Sequence, residues 1–234
     1  MQRWGESYYE TYAPVVNWLS VRFLLTMSIA LDLDTRSIDF TMAYAQAPLK
    51  APVYMEIPWG FKPAGVDHPD AYCLKLLVNW YGLKDGGLNW YDCIKSGLQD
   101  RGFIQSQVNP CLFTRGSLMV ILYVDDVLIA AKHSTHIDSL LASLKDGTDI
   151  DTGKDNPKLQ KFQFTDDGSI KTFLVVNIEC TQNGFHLAQP HLIARILHVL
   201  GLEADETNSR NTRDTPAVKP LLIKDTSGEK RTLS

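Results

Sequence analysis

The sequence predicts an α+β fold, a mostly antiparallel sheet with helices packed on one face. Two observations carry that reading. Stretches with apolar residues at helical spacing are interleaved with short alternating or continuous apolar runs, in the order helix, strands, helix, hairpin, helix, strands. The run MVILYVDDVLIAA (119–131) has eleven apolar or aromatic positions split by two adjacent aspartates, and reads as two strands buried on both faces that meet at a turn.

The elements follow in order. Val16, Leu19, Phe23, Met27 and Ala30 fall at steps of 3, 4, 4 and 3 and predict an amphipathic helix with these residues as its apolar stripe. RSIDFTMAY (36–44) alternates, with Ile38, Phe40 and Met42 on one face and Asp39, Thr41 and Ala43 on the other, as a half-buried strand does. VYMEIP (53–58) and AYCLKLL (71–77) are short strands around a Pro/Gly loop. Leu88, Tyr91, Ile94 and Leu98 mark a second helix stopped by Gly102. PCLFTRGSLMVILYV contains a strand, a turn at Gly116-Ser117 and a strand leading into the aspartate pair. THIDSLLASLKDG is a third helix, with Thr135 and Asp138 as a capping box and Gly147 as the stop. A turn at DDG (166–168), a strand IKTFLVVNIEC (170–180), a turn at TQNG and FHLAQ come next. Pro190 opens a last helix through Leu200, closed by Gly201. Residues 203–234 balance six acids against six bases with little periodicity, as a solvated tail or linker does.

Composition bounds the function. The 234 residues, 44% hydrophobic, suffice for one large domain or a domain with a small appendage. A net charge of −4 argues against a chain that grips phosphates, which ordinarily shows a basic excess. Cys73, Cys93, Cys111 and Cys180 are spread singly, the pattern of reduced thiols in an intracellular protein. MQRWGESYYE holds no apolar signal core and the aspartates interrupt the greasiest stretch, so neither a signal peptide nor a membrane span is expected. His191 and His198 share a helix face but have no ligand partner at zinc spacing.

Asp125 and Asp126 inside so apolar a run have two readings, an acidic hairpin turn or a divalent-cation site in which metal neutralises the adjacent charges. Asp39 bears on the choice. It sits on the strand face opposite Ile38 and Phe40, where it can join the pair in a cleft, or it is one more surface acid on a strand. An oxygen-only cluster of three carboxylates suits Mg²⁺.

Longer motifs then carry a resemblance. YVDD between two apolar strands resembles the catalytic hairpin of reverse transcriptases. IDFTMAYAQAPLKAPVYMEIPWGF is similar to the first catalytic block of copia-type retrotransposon enzymes, YGLKDGGLNWY resembles their Y-G-L-K block, and YYETYAPVV their entry segment. The four blocks keep the family's order from residue 8 to 131, and a looser match runs to about residue 215. The resemblance implies a polymerase palm over 1–180, a thumb-like segment over 181–215 and a linker or disordered tail over 216–234. It implies that Asp39, Asp125 and Asp126 hold two Mg²⁺ ions, with Mn²⁺ as a substitute and the Phe40 backbone carbonyl as a further ligand. Tyr44 would be the aromatic gate that excludes a ribose 2′-hydroxyl, and Gly82 and Lys84 would line nucleotide and template. The implied partners are an RNA or DNA template with its primer, deoxynucleoside triphosphates, and the fingers, ribonuclease H and integrase regions of a parent polyprotein, with no membrane. The implied location is intracellular, in the parent element's cytoplasmic particle or in the nucleus.

Departures from the pattern lower the expected activity. Only seven residues precede Tyr8, where the family's basic fingers would stand. Leu88 replaces the usual Arg, Gly86-Gly87 loosens a helix entrance, and Val175 replaces a usual Gly in the stretch resembling the primer grip. Weak or absent polymerisation is therefore expected. The alternatives are an inactive relic of the same domain and a non-catalytic nucleic-acid-binding module, which would need exposed aromatics in a basic groove.

Overall fold

The strand Asp34–Phe40 organises the computed structural model, which describes residues 2–61, 65, 71–181 and 184–201. In chain order the elements are α1 (Trp18–Ala30), β1 (Asp34–Phe40), a 3-10 turn (Ala43–Gln46), β2 (Tyr54–Glu56), β3 (Cys73–Lys75), α2 (Gly86–Gln99), β4 (Ile104–Gln105), β5 (Leu112–Arg115), β6 (Leu118–Tyr123), β7 (Asp126–Ala131), α3 (Ser134–Asp146), β8 (Phe164–Gly168), β9 (Thr172–Phe173), β10 (Val176–Thr181), β11 (Gly184–Ala188) and α4 (Pro190–Val199). The main sheet is six-stranded and antiparallel throughout, ordered β4-β5-β6-β7-β1-β8. Two small antiparallel sheets, β11-β10-β9 and β2-β3, complete the α+β arrangement that the sequence predicts.

Strand alternation divides the core in two. Ile38, Phe40, Val127 and Ile129 pack with Trp90, Ile94 and Leu98 of α2 and Ile137, Leu140 and Leu144 of α3. Ile121, Leu128 and Ala130 point the other way, onto Val21, Leu24 and Leu25 of α1 and onto Phe173, Val176 and Ile178 of the small sheet. Only α2 and α3 share one face, so the expectation of helices on one face alone is corrected: α1, apolar nearly all round, and a hairpin cover part of the other and leave its β1–β7 end open. Aromatic edges seal the first layer. Phe40 meets Trp90 at 5.1 Å and Phe162 at 5.7 Å, both edge-on, a geometry worth ~0.5–1.5 kcal/mol per pair beyond the buried area.

Several local expectations are corrected. On α1 the buried face is Val21, Leu24, Leu25 and Ser28, whereas Leu19 is 75% exposed and Phe23 is exposed too; the helix is apolar nearly all round, so spacing alone does not select a face. β1 ends at Phe40. Met42 turns to solvent at φ +50° and Ala43 takes the buried place expected for it. In α2 the buried residues include Trp90, Cys93, Ile94 and Leu98, with Leu88 and Tyr91 at the flank. Gly102, at φ +80°, follows the helix, and its N–H donates to the Gln99 carbonyl. The expected capping box on α3 is not formed: His133 is the N-cap without a side-chain bond, and Asp138 instead accepts from Arg36 at 3.2 Å. Gly147 ends α3 at φ +74°, as expected. DDG (166–168) is the end of β8 and not a free turn, and IKTFLVVNIEC is two strands, folded back at Leu174-Val175, whose φ values are +50° and +66°.

The described residues up to Ala188 form one compact unit, and those from Gln189 to Gly201 belong to a second. β11, within the span expected to be thumb-like, pairs with β10 in the first unit. In the second, Pro190 starts α4 and Gly201, at φ +63°, follows it. Residues 202–215 of the expected thumb-like span and the expected tail 216–234 lie outside the described residues. Among the described residues no helix is long and apolar enough to cross a membrane.

Candidate active site

The open end of the sheet carries the three predicted carboxylates, two of them paired across strands and the third in the adjoining turn. Asp39 of β1 stands directly opposite Asp126 of β7 in the antiparallel ladder, so both side chains leave the same face. That face is the one opposite Ile38 and Phe40. Like charges placed directly across a ladder repel, and nothing in the pairing itself offsets this. Tyr123 pairs with Asp126, which makes Val124-Asp125 the two-residue turn. The aspartate pair is therefore not the turn itself; the turn lies one residue earlier, and only Asp125 belongs to it. The Phe40 N–H donates to the Asp125 carbonyl at 2.9 Å and stitches the turn to β1.

The turn is strained. Val124 adopts φ +52°, a left-handed conformation that costs a β-branched residue about 1–2 kcal/mol. Its carbonyl accepts a 2.6 Å hydrogen bond from the indole N–H of Trp90.

A fourth carboxylate, Asp167, stands close enough for its charge to act on Asp39 and Asp126. The β1–β8 register slips between Ser37 and Ile38, whose partners are Gly168 and Asp166, so Asp167 is the extra residue of a bulge. Arg36 holds the neighbouring Asp166 at 2.7 Å, on the side of the sheet where it also reaches Asp138 of α3. Asp167 instead lines a cavity of about 390 Å³ together with Tyr123, Asp126, Phe173 and Val175. The sequence DDG reads as a turn, and nothing in it signals the bulge that turns Asp167 towards the cavity.

Electrostatics register this crowding. Burial, then the charges of Asp125, Asp39 and Asp167, push the Asp126 carboxyl up to about 6. Burial, Asp125 and Asp167 raise Asp39. No ion pair reaches any of the four among the described residues. The donors are all oxygen, negatively charged and without a protein counter-charge among the described residues, which is the chemistry a hard divalent cation takes. Among the described residues no three His, Cys, Asp or Glu side chains are grouped closely enough to hold an ion on their own. Mg²⁺ ordinarily keeps several waters and shares its ligation with substrate phosphates, so it needs few ligands from the protein.

Tyr44 sits in the 3-10 turn after β1, half-buried, its hydroxyl pKa raised by burial and by the nearby charge of Asp125. Its ring stacks on Tyr81, with centroids 4.5 Å apart. Gly82 (φ +97°) and Lys84 lie on the loop that enters α2, next to that stack, and the Lys84 N–H donates to the Gln2 side chain at 2.6 Å. Gly86 and Gly87 bring α2 against Tyr44: a Cβ on Gly87 would stand 3.4 Å from the Tyr44 hydroxyl.

The reverse transcriptase (RNA-dependent DNA polymerase) family matches residues 1–219. Over 200 residues the chain is 31% identical to the retrovirus-related Pol polyprotein from transposon RE1 of Arabidopsis thaliana, covering 84% of this chain and 12% of that polyprotein. It is 30% identical over 154 residues to the counterpart from transposon TNT 1-94 of Nicotiana tabacum, covering 64% and 11%. The Ty1-H Gag-Pol polyprotein of Saccharomyces cerevisiae is 28% identical over 160 residues, covering 64% and 9%. The chain thus spans 12% or less of the length of these curated relatives. No solved structure matches it. With its ordered blocks and its carboxylate-bearing antiparallel sheet, the chain belongs to the reverse transcriptase (RNA-dependent DNA polymerase) family, among the copia/Ty1-type retrotransposon sequences.

Proposed function

We propose that the chain carries the nucleotidyl-transfer centre of a copia-like RNA-directed DNA polymerase, in which a primer 3′-hydroxyl attacks a deoxynucleoside triphosphate and pyrophosphate leaves. One observation carries the reading: Asp39 faces Asp126 across the ladder, beside the turn that bears Asp125, with no cationic side chain paired to them among the described residues. In this reading Asp39, Asp125 and Asp126 hold two Mg²⁺ ions, or Mn²⁺ in their place, with the Phe40 carbonyl as a further ligand. Bound there, the ions supply activation of the attacking hydroxyl and charge neutralisation at the leaving pyrophosphate. Tyr44 lies under the sugar and excludes a 2′-hydroxyl by bulk. Gly82 gives the backbone close approach to the nucleotide, and Lys84 supplies a phosphate partner.

The partners that follow are a primed RNA or DNA template, deoxynucleoside triphosphates and the other regions of a Pol polyprotein. An intracellular setting, cytoplasmic particle or nucleus, accords with four cysteines that are all free thiols. The test is primer extension on poly(rA)/oligo(dT) with Mg²⁺, run beside Asp125→Asn and a Mn²⁺ titration of Asp39→Asn. Weak Mg²⁺-dependent incorporation lost in the first variant, with Mn²⁺ binding lost in the second, is the expected result. Binding of Mn²⁺ that ignores both aspartates would overturn the reading.

An inactive relic of the same domain is the second reading, and Val175 favours it. Its φ of +66° at a turn lining the carboxylate cavity is the conformation glycine takes without strain. The relic reading predicts Mn²⁺ binding without any incorporation, even at high enzyme concentration. A non-catalytic nucleic-acid-binding module has less support, because the cavity lining includes two acids, Asp126 and Asp167, and no basic residue.

A further inference from the structure

Trp90 touches both halves of the carboxylate scaffold. Its ring meets Phe40, the residue after Asp39, edge-on at 5.1 Å. Its indole N–H donates to the carbonyl of Val124, the residue before Asp125, at 2.6 Å. Trp90 is 1% exposed, so the Val124 carbonyl is the partner its N–H has in the fold.

Val124 needs such a hold. A β-branched residue at φ +52° persists only where its surroundings over-determine it. Val124 is itself 37% exposed, so burial supplies only part of the constraint. What remains is hydrogen bonding from outside the turn: Phe40 N–H to the Asp125 carbonyl, and Trp90 to the Val124 carbonyl. Trp90 packs against the ring of that same Phe40. A loss at residue 90 therefore loosens the turn directly and the strand beside it indirectly.

We propose that Trp90 is a positioning residue for the carboxylate cluster, its indole holding the left-handed Val124 turn that sets Asp125 and Asp126 against Asp39. The proposal rests on the reading of that cluster as a cation site, yet part of its test needs no metal. A purely space-filling Trp90 would contribute to stability alone. A positioning Trp90 is coupled to the turn, and the coupling disappears once the turn is unstrained.

The test uses the full chain with Trp90→Phe, Val124→Gly and the double variant. Glycine takes φ +52° without strain, so Val124→Gly removes the need for the hold. Mn²⁺ affinity is read by electron paramagnetic resonance titration. Trp90→Phe is expected to weaken Mn²⁺ binding about tenfold, the loss of one hydrogen bond, and to have less than a third of that effect in the Val124→Gly background. Amide exchange at Asp125 and Asp126 is expected to quicken about tenfold in Trp90→Phe, while amides within α3 hold their rates. Equal effects of Trp90→Phe in both backgrounds, or a uniform rise in exchange across the domain, would overturn the proposal. If Trp90→Phe does not fold, the isosteric replacement of Trp90 by benzothienylalanine keeps the bicyclic ring, drops the donor and is read in the same two ways. Wild-type chain that binds no Mn²⁺ at all would sink the metal reading, while the exchange data would still decide for or against Trp90.

Discussion

The ring of Tyr44 lies nearly parallel to that of Tyr81, 19° between planes and 4.5 Å between centroids. The stack joins the turn after β1 to the loop before α2, and it fixes where the Tyr44 ring stands relative to Asp125. Tyr44→Ala is expected to narrow the preference for a deoxynucleotide over a ribonucleotide about tenfold, measured as the ratio of Mn²⁺-dependent binding constants for the two. Tyr81→Ala would leave the proposed gate in place but unbraced, with a smaller loss of discrimination and about 1 kcal/mol of stability. An unchanged ratio in Tyr44→Ala would return that residue to a packing role.

Asp126 gives a pH signature. Its folded pKa of about 6 lies above the ordinary carboxylate value of 3.8, because burial and three neighbouring carboxylates disfavour its charge. The folded state therefore holds the proton more tightly than the unfolded state. The associated stability is fully present below about pH 4 and is lost as pH rises through about 6. Asp126→Asn should match the wild type in melting temperature near pH 4 and exceed it above pH 6, in chelator-treated protein. Adding Mn²⁺ above pH 6 should raise the wild type and leave the variant unmoved.

Val175→Gly should stabilise the protein. The side chain is 74% exposed and φ is +66°, so little packing is lost while a left-handed penalty of about 1–2 kcal/mol is relieved. Glycine's greater freedom in the unfolded chain offsets part of this, ~0.5–1 kcal/mol. The net gain of roughly 1 kcal/mol corresponds to a melting temperature higher by about 2–4 °C. A fall would show that the strained turn is held by contacts the exposure does not reveal.

Gly97→Ala should do the reverse, against helix propensity. Alanine favours a helix interior by about 1 kcal/mol. Here, however, its Cβ would stand 2.6 Å from two ring atoms of Phe162. That ring cannot easily give way, since Phe40 and Trp90 meet it edge-on and the Arg101 guanidinium lies 5.8 Å from its centre. Overpacking of this kind costs ~1–3 kcal/mol, so after the propensity gain urea denaturation should show a net loss of up to about 2 kcal/mol.

What the sequence made legible followed from patterns with a period or a stop. Ile38 and Phe40 facing the helices, the Gly116-Ser117 turn, and α3 ending at Gly147 all belong to that class. The family blocks led to Asp39, Asp125 and Asp126, which the fold brings to one end of one sheet. The hidden features are those that tertiary contact imposes against local preference. Leu174-Val175 turns back at positive φ without a glycine or asparagine to announce it. Arg36 draws Asp138 out of a capping role and Asp166 away from the cavity. Asp167 enters the cleft only through a bulge, and Trp90 reaches the turn only because α2 passes beneath it.

The ladder that sets Asp39 against Asp126 also dictates when the site comes into being. β6 and β7 are neighbours in the chain and can zip together as a local hairpin, whereas β1 must wait for a partner made roughly 90 residues later. Closing that long loop brings like charges face to face at the moment of pairing. The carboxylate centre is thus among the late acquisitions of folding, and its arrival is opposed by its own chemistry. Acid, or a divalent cation in the refolding medium, should hasten that final closure and leave hairpin formation untouched.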